Sequence, residues 1–327
     1  MLNAKITGMA SYLPDYILDN DELSRMVDTN DEWITTRVGI KERRMLKMDV
    51  GSSYMGIQAV NKLLEETGTG KDEVDAMICV TSNPDYRFPS TASVIIHECG
   101  LEKNCYGYDI QAACAGFIVA AHIANGYIRA GLHKKVIVVC TEKMSSMVNY
   151  ADRATCPLFG DGAAAVLMEP CSEEGYGFID GIFHVDGSGL NNLIYKAGGS
   201  AKPATADTVA AGEHFLYQEG RAVYRHAVID MYTASKDIMQ RNGLTVDDLT
   251  WFVPHQANLR IIEAVGDRLK IDRDKVLVNI QKVGNTSGAS IPLCMDWHKD
   301  KFKKGDKIVL TAFGAGFTWG SMYLVWE

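Results

Sequence analysis

Three features of the sequence predict an α/β chain made of two successive, similarly built halves. Strand-length apolar runs alternate with helix-length segments. The strongest of those runs, Met77-Ile78-Cys79-Val80 and Ile137-Val138-Val139-Cys140, are continuous rather than alternating, which implies sheets covered on both faces. The series also relaxes over 169–174 and then begins again. The expectation is a duplicated unit, an N-terminal half over 1–172 and a C-terminal half over 173–327, with the strand–helix order implying parallel pairing.

In chain order, 5–13 reads as a strand, and Asn20-Asp21-Glu22-Leu23 opens a short helix with a capping side chain and early acids. A second short helix over 28–40 is opened by another cap and closed near Gly39. A helix over 52–67 precedes the buried strand 74–81. The helix 90–99, stopped by Gly100, leads to the strand 105–111 and an apolar helix over 114–130, stopped by Gly131. After the strand 135–140, the turn Phe159-Gly160-Asp161-Gly162 enters another strand that runs to Met168. In the second series, 178–185 is strand-like, 198–206 is an exposed loop, and 221–240 is a long helix ended by Asn242-Gly243. Strand 250–254, helix 258–270, strand 276–280, a helix after Asn285 and a hairpin of 307–313 with 317–325 complete the series.

Composition narrows the functional class. The chain has 327 residues, 47% hydrophobic and 23% charged, with a net charge of -8. That is ample material for a core. It lacks the basic excess that nonspecific binding to nucleic acid or anionic membrane requires. No apolar run approaches the roughly 20 residues of a membrane span. Met1 to Ile6 runs directly into a strand pattern without a secretory apolar region, so the expected location is cytoplasmic. Eight cysteines include no CxxC pair, which argues against a zinc site and for core thiols in a reducing compartment.

One cysteine stands apart. In Tyr108-Asp109-Ile110-Gln111-Ala112-Ala113-Cys114-Ala115-Gly116-Phe117, a strand ends on small residues and turns straight into a helix. Cys114 is therefore expected in the first helical turn, where unsatisfied backbone NH groups and the helix dipole favour thiolate. A dipole worth up to ~2 kcal/mol lowers a thiol near pKa ~8.5 by roughly 1.5 units. The competing reading is an ordinary buried thiol, against which the small flanking residues leave room for a substrate.

Three further motifs carry chemistry, each beside a plainer alternative. His255, in Val253-Pro254-His255-Gln256-Ala257-Asn258, lies at the C-terminal end of a strand, the ligand-binding edge of α/β sheets; it is otherwise a satisfied structural histidine. Asn285, in Gly284-Asn285-Thr286-Ser287-Gly288-Ala289-Ser290, is a helix cap or an amide donor aimed at a developing oxyanion. Phe313-Gly314-Ala315-Gly316-Phe317-Thr318-Trp319-Gly320 is a tight β turn, or a side-chain-poor backbone offering an NH at close range. Trp33 and Arg37 stand four apart on a short helix and share a face, either a docked aromatic with a solvated cation or a platform for an adenine and a phosphate.

Cys114, His255 and Asn285, in that order and each at a strand-to-helix corner, resemble the β-ketoacyl-[acyl-carrier-protein] synthase III family of condensing enzymes. The resemblance spans essentially the whole chain. It rests on the stretch from Asp28 to Ile40, Ala112-Ala113-Cys114-Ala115-Gly116-Phe117, Pro254-His255-Gln256-Ala257-Asn258, the Asn285 motif and the closing Gly316-Phe317-Thr318-Trp319-Gly320-Ser321. Thiolases place a second cysteine where this chain has Ala315. Elongating synthases use two histidines, and here the second position is Asn285.

The resemblance implies a thiolase-like fold, a layered α-β-α-β-α sandwich. It implies acyl transfer from an acyl-coenzyme A primer to Cys114, with the oxyanion held by the backbone NH groups of Cys114 and Ala315. Decarboxylation of malonyl-acyl-carrier protein beside His255 and Asn285 would follow, initiating fatty acid biosynthesis with no cofactor and no metal. Asp28, Thr29, Trp33, Arg37, Arg153 and Asn258 would bind coenzyme A, Trp33 and Arg153 sandwiching the adenine. Phe88 would close the primer pocket across a homodimer interface. The acidic carrier protein would dock on Gln256, Ala257, Asn258, Leu259 and Arg260. Between 260 and 275 five cations face four acids, so Arg260 is the single best docking residue. Three other readings stay open: a relative of secondary metabolism with an unusual primer or a coenzyme A-bound extender, a cysteine hydrolase with a Cys-His-Asn triad, and a noncatalytic binding protein of the same fold.

Overall fold

The continuous apolar runs become the centres of two sheets in the computed structural model, which describes residues 2–327. The first sheet contains β1 (Ala4–Tyr12), β2 (Ala76–Val80), β3 (Tyr106–Ile110), β4 (Val136–Glu142) and β5 (Gly162–Pro170), in the spatial order β1-β5-β4-β2-β3. The second contains β6 (Gly177–Val185), β7 (Trp251–Pro254), β8 (Lys307–Gly314) and β9 (Thr318–Val325), in the order β7-β8-β9-β6.

Helices fill three layers around them. The outer face of the first sheet carries α2 (Ser53–Thr67) and α3 (Thr91–Cys99), after the short α1 (Asp31–Val38). Between the sheets lie α4 (Gly116–Arg129) and, later in the chain, α7 (Ser290–Trp297). The outer face of the second sheet carries α5 (Gly220–Arg241) and α6 (Leu259–Leu269). The result is an α-β-α-β-α sandwich.

The side-chain alternation of the strands explains the layering. On β2 and β4, Ile78, Val80, Val138 and Cys140 join the central core with α4. Met77, Cys79, Ile137 and Val139 point the other way, into the core beneath α2 and α3. On β8, Ile308 and Leu310 face the centre while Val309 and Phe313 face α5 and α6. Both faces of each strand are covered, so the runs are continuously apolar. Each such buried side chain is worth roughly 1.5–3 kcal/mol. Among the described residues, no helix is long and apolar enough to cross a membrane.

Three expectations change. Parallel pairing holds for β2 with β3 and β4, and for β7 with β8, but β5 runs antiparallel between β4 and β1. The segment joining β4 to β5 holds only a short 3-10 turn, Met144–Met147, and so lacks the crossover helix usual for parallel strands. The apolar helix over 114–130 starts as a 3-10 turn, Ala113–Ala115, and becomes α-helical at Gly116.

The strand over 276–280 reduces to one bridge, Val276 to Phe252, because a side chain replaces its ladder. Gln256 is fully buried. Its Nε2 donates to the carbonyls of Pro254 (2.7 Å) and Leu277 (3.2 Å), and its Oε1 accepts from the Asn279 N–H (3.1 Å). Gln256 therefore does not reach a docking protein, correcting its assignment to the carrier surface. Gln256→Ala leaves three buried backbone groups unpaired and is expected to lower stability in urea unfolding by at least about 2 kcal/mol. A loss below about 0.5 kcal/mol, typical of a surface change, would contradict this packing role.

Candidate active site

The C-terminal ends of strands from both sheets open on one cavity of about 1140 Å³, whose wall includes Cys114, His255, Asn285, Ser287, Gly314 and Ala315. The three residues singled out by their strand-to-helix corners are thus brought together.

Cys114 sits in the 3-10 turn with Ala113 before it at φ +45°, a left-handed conformation that a residue with a Cβ adopts only under constraint. Glycines hold the turn in place. A methyl on Gly116 would fall 2.3 Å from Val80 Cγ1, so α4 lies flush on β2. A methyl on Gly314 would fall 2.7 Å from the Cys114 backbone nitrogen. The tip of the β8–β9 hairpin therefore meets Cys114 backbone to backbone, with Ala315 beside it. Cys114 as a residue is half-buried on the cavity wall, whereas the other seven cysteines are buried, and all eight are free.

The charge state expected for Cys114 is reversed. Burial pushes the thiol up to about 12, the nearby Glu142 charge acts the same way, and contact with the Ser287 hydroxyl (3.7 Å) opposes both. Burial outweighs a helix start worth at most ~2 kcal/mol. The resting site holds a thiol.

His255 extends the β7–β8 ladder through its N–H to the Thr311 carbonyl, 2.8 Å. Its Nδ1 lies 2.6 Å from Ser290 Oγ, which also accepts from the Gln256 N–H at 3.4 Å. The hydroxyl can donate to Nδ1 while it accepts from Gln256, an arrangement that goes with the ring proton on Nε2. Nε2 is buried without a partner. Burial also holds the imidazole down to about 3, so it is neutral and a hydrogen-bond donor at working pH.

Asn285 is fixed by a two-way backbone bridge. Its N–H donates to the Leu158 carbonyl (2.8 Å) and its carbonyl accepts from Gly160 (3.1 Å). A methyl on Gly160 would strike the Val283 carbonyl at 2.3 Å, which explains the glycine. The Asn285 Oδ1 accepts from the Ser287 N–H, 2.8 Å, leaving the amide NH2 as its remaining polar group. A hydrolytic Cys-His-Asn triad would direct the amide oxygen to the histidine and use a basic imidazole. Here Ser290 takes the histidine and Ser287 takes the amide, and the imidazole is a very weak base.

On α1, the Trp33 indole carries the Arg153 guanidinium 4.3 Å from its centre, and Arg153 reaches Asp28 at 3.9 Å. The cation and the ring are in direct contact. Thr29 Oγ1 is buried and unpartnered nearby in sequence. Asn258 caps α6 by accepting from Arg260 N–H (2.9 Å) and donates to the Arg37 carbonyl (3.4 Å). It thereby ties α1 to α6. Ala257 and Leu259 are half-buried and Arg260 is exposed. Phe88 is 86% exposed and does not line this chain's own cavity, although Tyr86 and Arg87 do. The sequence reading missed Ser82, Glu142, Ser287 and Ser290, whose roles come from partners distant in sequence, and Arg221, a cation opening α5 on the cavity wall.

Two family descriptions match the chain: 3-oxoacyl-[acyl-carrier-protein] synthase III over residues 108–187 and its C-terminal region over 239–326. A β-ketoacyl-[acyl-carrier-protein] synthase III of Bacteroides thetaiotaomicron is 54% identical over 326 residues, 99% of this chain and 97% of that protein. The chain belongs to the β-ketoacyl-[acyl-carrier-protein] synthase III family. The crystal structure of the Aquifex aeolicus synthase III superposes with TM-score 0.89 at 39% identity, covering 99% and 100% of the two chains. That of the priming β-ketosynthase from the R1128 polyketide pathway superposes with TM-score 0.91 at 34% identity, covering 100% and 97%. The layered sandwich is thus the thiolase-like fold, and this synthase III family member is an acyl-transferring condensing enzyme.

The depressed imidazole has a readable consequence. Because burial disfavours the charged ring, the native protein refuses a proton that the unfolded chain binds below about 6.5. Stability from this site is complete above that pH and is lost as pH falls toward about 3. An NMR titration is expected to find His255 neutral, protonated on Nε2, from pH 8 down to pH 5. A midpoint near 6.5 would contradict it.

Proposed function

We propose that this chain initiates fatty acid synthesis by joining an acyl-coenzyme A primer to malonyl-acyl-carrier protein, giving 3-oxoacyl-carrier protein, coenzyme A and carbon dioxide. The observation that carries the reading is a neutral, partnerless imidazole NH and a carboxamide NH2 on the same cavity as a thiol. The Cys114 sulfur attacks the primer carbonyl while the oxyanion accepts from the N–H groups of Cys114 and Ala315. The carbon–sulfur bond to coenzyme A then breaks, and the thiol proton goes to the departing sulfur.

In the second half-reaction the malonyl carbon–carboxylate bond breaks, carbon dioxide leaves, and the electron pair forms a thioester enolate. His255 Nε2–H and Asn285 Nδ2–H donate to that oxygen. The enolate carbon attacks the acyl-Cys114 carbonyl, and the sulfur is released to take up a proton. No metal or organic cofactor has a place in these steps.

Coenzyme A would lie along Asp28, Thr29, Trp33, Arg37, Arg153 and Asn258, with the adenine entering between Trp33 and Arg153. Phe88, exposed on a loop that otherwise faces the cavity, would insert into the primer pocket of a second copy, making the enzyme a cytoplasmic homodimer. Arg260 and Arg221 open neighbouring helices at the mouth, a local positive field on an acidic protein suited to an acidic carrier, with Ala257, Asn258 and Leu259 alongside. The division of the chain at 172 into two half-units is part of the same reading. A primer ketosynthase of polyketide assembly is the second reading, favoured by the R1128 likeness. Product analysis with malonyl on carrier protein against malonyl-coenzyme A separates the two.

Removing a single oxyanion donor costs about 10² to 10³ in rate. Asn285→Ala is therefore expected to suppress carbon dioxide release by that factor while acyl transfer to Cys114, followed by mass spectrometry, changes little. Equal loss of both half-reactions would refute this division. Arg260→Glu is expected to raise the KM for malonyl-carrier protein at low salt, an effect that fades as salt screens it. An unchanged KM would remove Arg260 from the docking surface.

A further inference from the structure

The steps above leave unused a buried acid that lies beside the nucleophile. Glu142, the last residue of β4, is fully buried, and no lysine or arginine pairs with it among the described ion pairs. Its Oε2 accepts from the Ser82 N–H (2.9 Å). Its Oε1 accepts from the Ser82 hydroxyl (3.1 Å) and the Gly288 N–H (3.3 Å). Position 288 is held to glycine, since a methyl there would fall 2.7 Å from Val80 Cγ1 and 3.1 Å from Glu142 Oε1. The carboxyl is thus seated by design of the backbone, yet it has nothing to neutralise it.

From that carboxyl a chain of hydroxyls leads to the nucleophile. Ser82 Oγ lies 3.4 Å from Ser287 Oγ, and Ser287 Oγ lies 3.7 Å from Cys114 Sγ. Ser287 is held at φ +49°, and its N–H is the donor that fixes the Asn285 amide, so its backbone is anchored between Asn285 and Cys114. Neither ordinary packing nor helix capping explains why two serines and an uncompensated acid converge on one thiol.

We propose that Glu142 receives the Cys114 thiol proton through Ser287 and Ser82. The thiol proton passes to Ser287 Oγ, the Ser287 proton to Ser82 Oγ, and the Ser82 proton to Glu142 Oε1. Both hydroxyls end as they began, the sulfur becomes a thiolate and the carboxylate becomes a carboxylic acid. When the thiolate displaces coenzyme A, the proton returns by the same route to the departing sulfur. Glu142 acts through the serines and is a positioning and proton-holding residue. The inference rests on Cys114 being the nucleophile.

Relative basicities agree with this route. Burial raises the Glu142 carboxyl to about 7, whereas the His255 imidazole is held down to about 3. The titratable groups that interact with Glu142 are thiols: Cys79 on β2, Cys140 on its own strand, and Cys114. A proton leaving Cys114 is therefore taken more readily by Glu142 than by the histidine.

Alkylation of Cys114 by iodoacetamide across pH 6 to 10 tests the relay without any substrate. As a bare negative neighbour, Glu142 opposes the thiolate, so its removal in Glu142→Gln would speed alkylation. The relay predicts the opposite sign, a loss of about tenfold at pH 7.5 with the midpoint moved to higher pH. Ser287→Ala, which keeps the backbone donor to Asn285, should show the same loss and shift, and the double variant should lose no more than either single one. Faster or unchanged alkylation in either variant, or multiplied losses in the double, overturns the relay. If Glu142→Gln does not fold, Ser287→Ala decides alone. Failure of the unaltered protein to form an acyl-enzyme from acyl-coenzyme A would instead refute the assigned function.

Discussion

A gap too narrow for one methyl group, between Gly314 and the backbone of Cys114, is the constraint on which the site depends. It joins the hairpin tip of the second sheet to the nucleophile turn of the first. Any side chain at Gly314 would force the two sheets apart at the point where the reacting carbonyl must sit. Preorganised donors stabilise charge only if they are already in place, and here the placement is enforced by backbone contact rather than by flexible side chains. The same device recurs at Gly160 beside Asn285, and at Gly288 beside Glu142.

Around that contact, polar groups are distributed so that each reacting side chain has one end tied and one end free. Ser290 ties the histidine through Nδ1, and Ser287 ties the amide through Oδ1. The free ends are both donors, which suits an enolate and poorly suits proton abstraction by imidazole. Burial sets the charges of the site: it keeps the thiol protonated and the histidine neutral, and leaves Glu142 as the group that exchanges a proton near neutrality. With Cys114, His255 and Asn285 uncharged at rest, the donors that face the substrate stabilise negative charge when it appears there.

The covered sheets were legible in the sequence because their strands have continuous apolar runs, and the helix ends because Gly39 and Gly100 close helices at positive φ; the five-layered sandwich came from the family resemblance. Cys114 and His255 were legible because each follows an apolar strand at a corner, and Asn285 because it stands in a run of small polar residues before a helix, although a short helix, Ile280–Val283, and not a strand precedes it. What could not be read is what depends on burial and on partners far along the chain. Gln256 belongs to a motif that looks exposed, yet it points inward and replaces a strand ladder. Glu142 ends an apolar strand and resembles a solvated terminus until Ser82 and Gly288 enclose it. The protonation of Cys114 was misjudged for the same reason, since a helix start is visible in sequence and desolvation is not.

The most direct test is a crystal structure of the acyl-enzyme, trapped with an acyl-coenzyme A primer and no malonyl thioester. The account predicts an acyl group on Cys114 with its carbonyl oxygen within hydrogen-bond reach of the N–H groups of Cys114 and Ala315. His255 Nε2 and Asn285 Nδ2 would both remain free of that oxygen and face the vacant extender side. A carbonyl oxygen bound instead by His255 or Asn285, or an acyl group on any other residue, would contradict it.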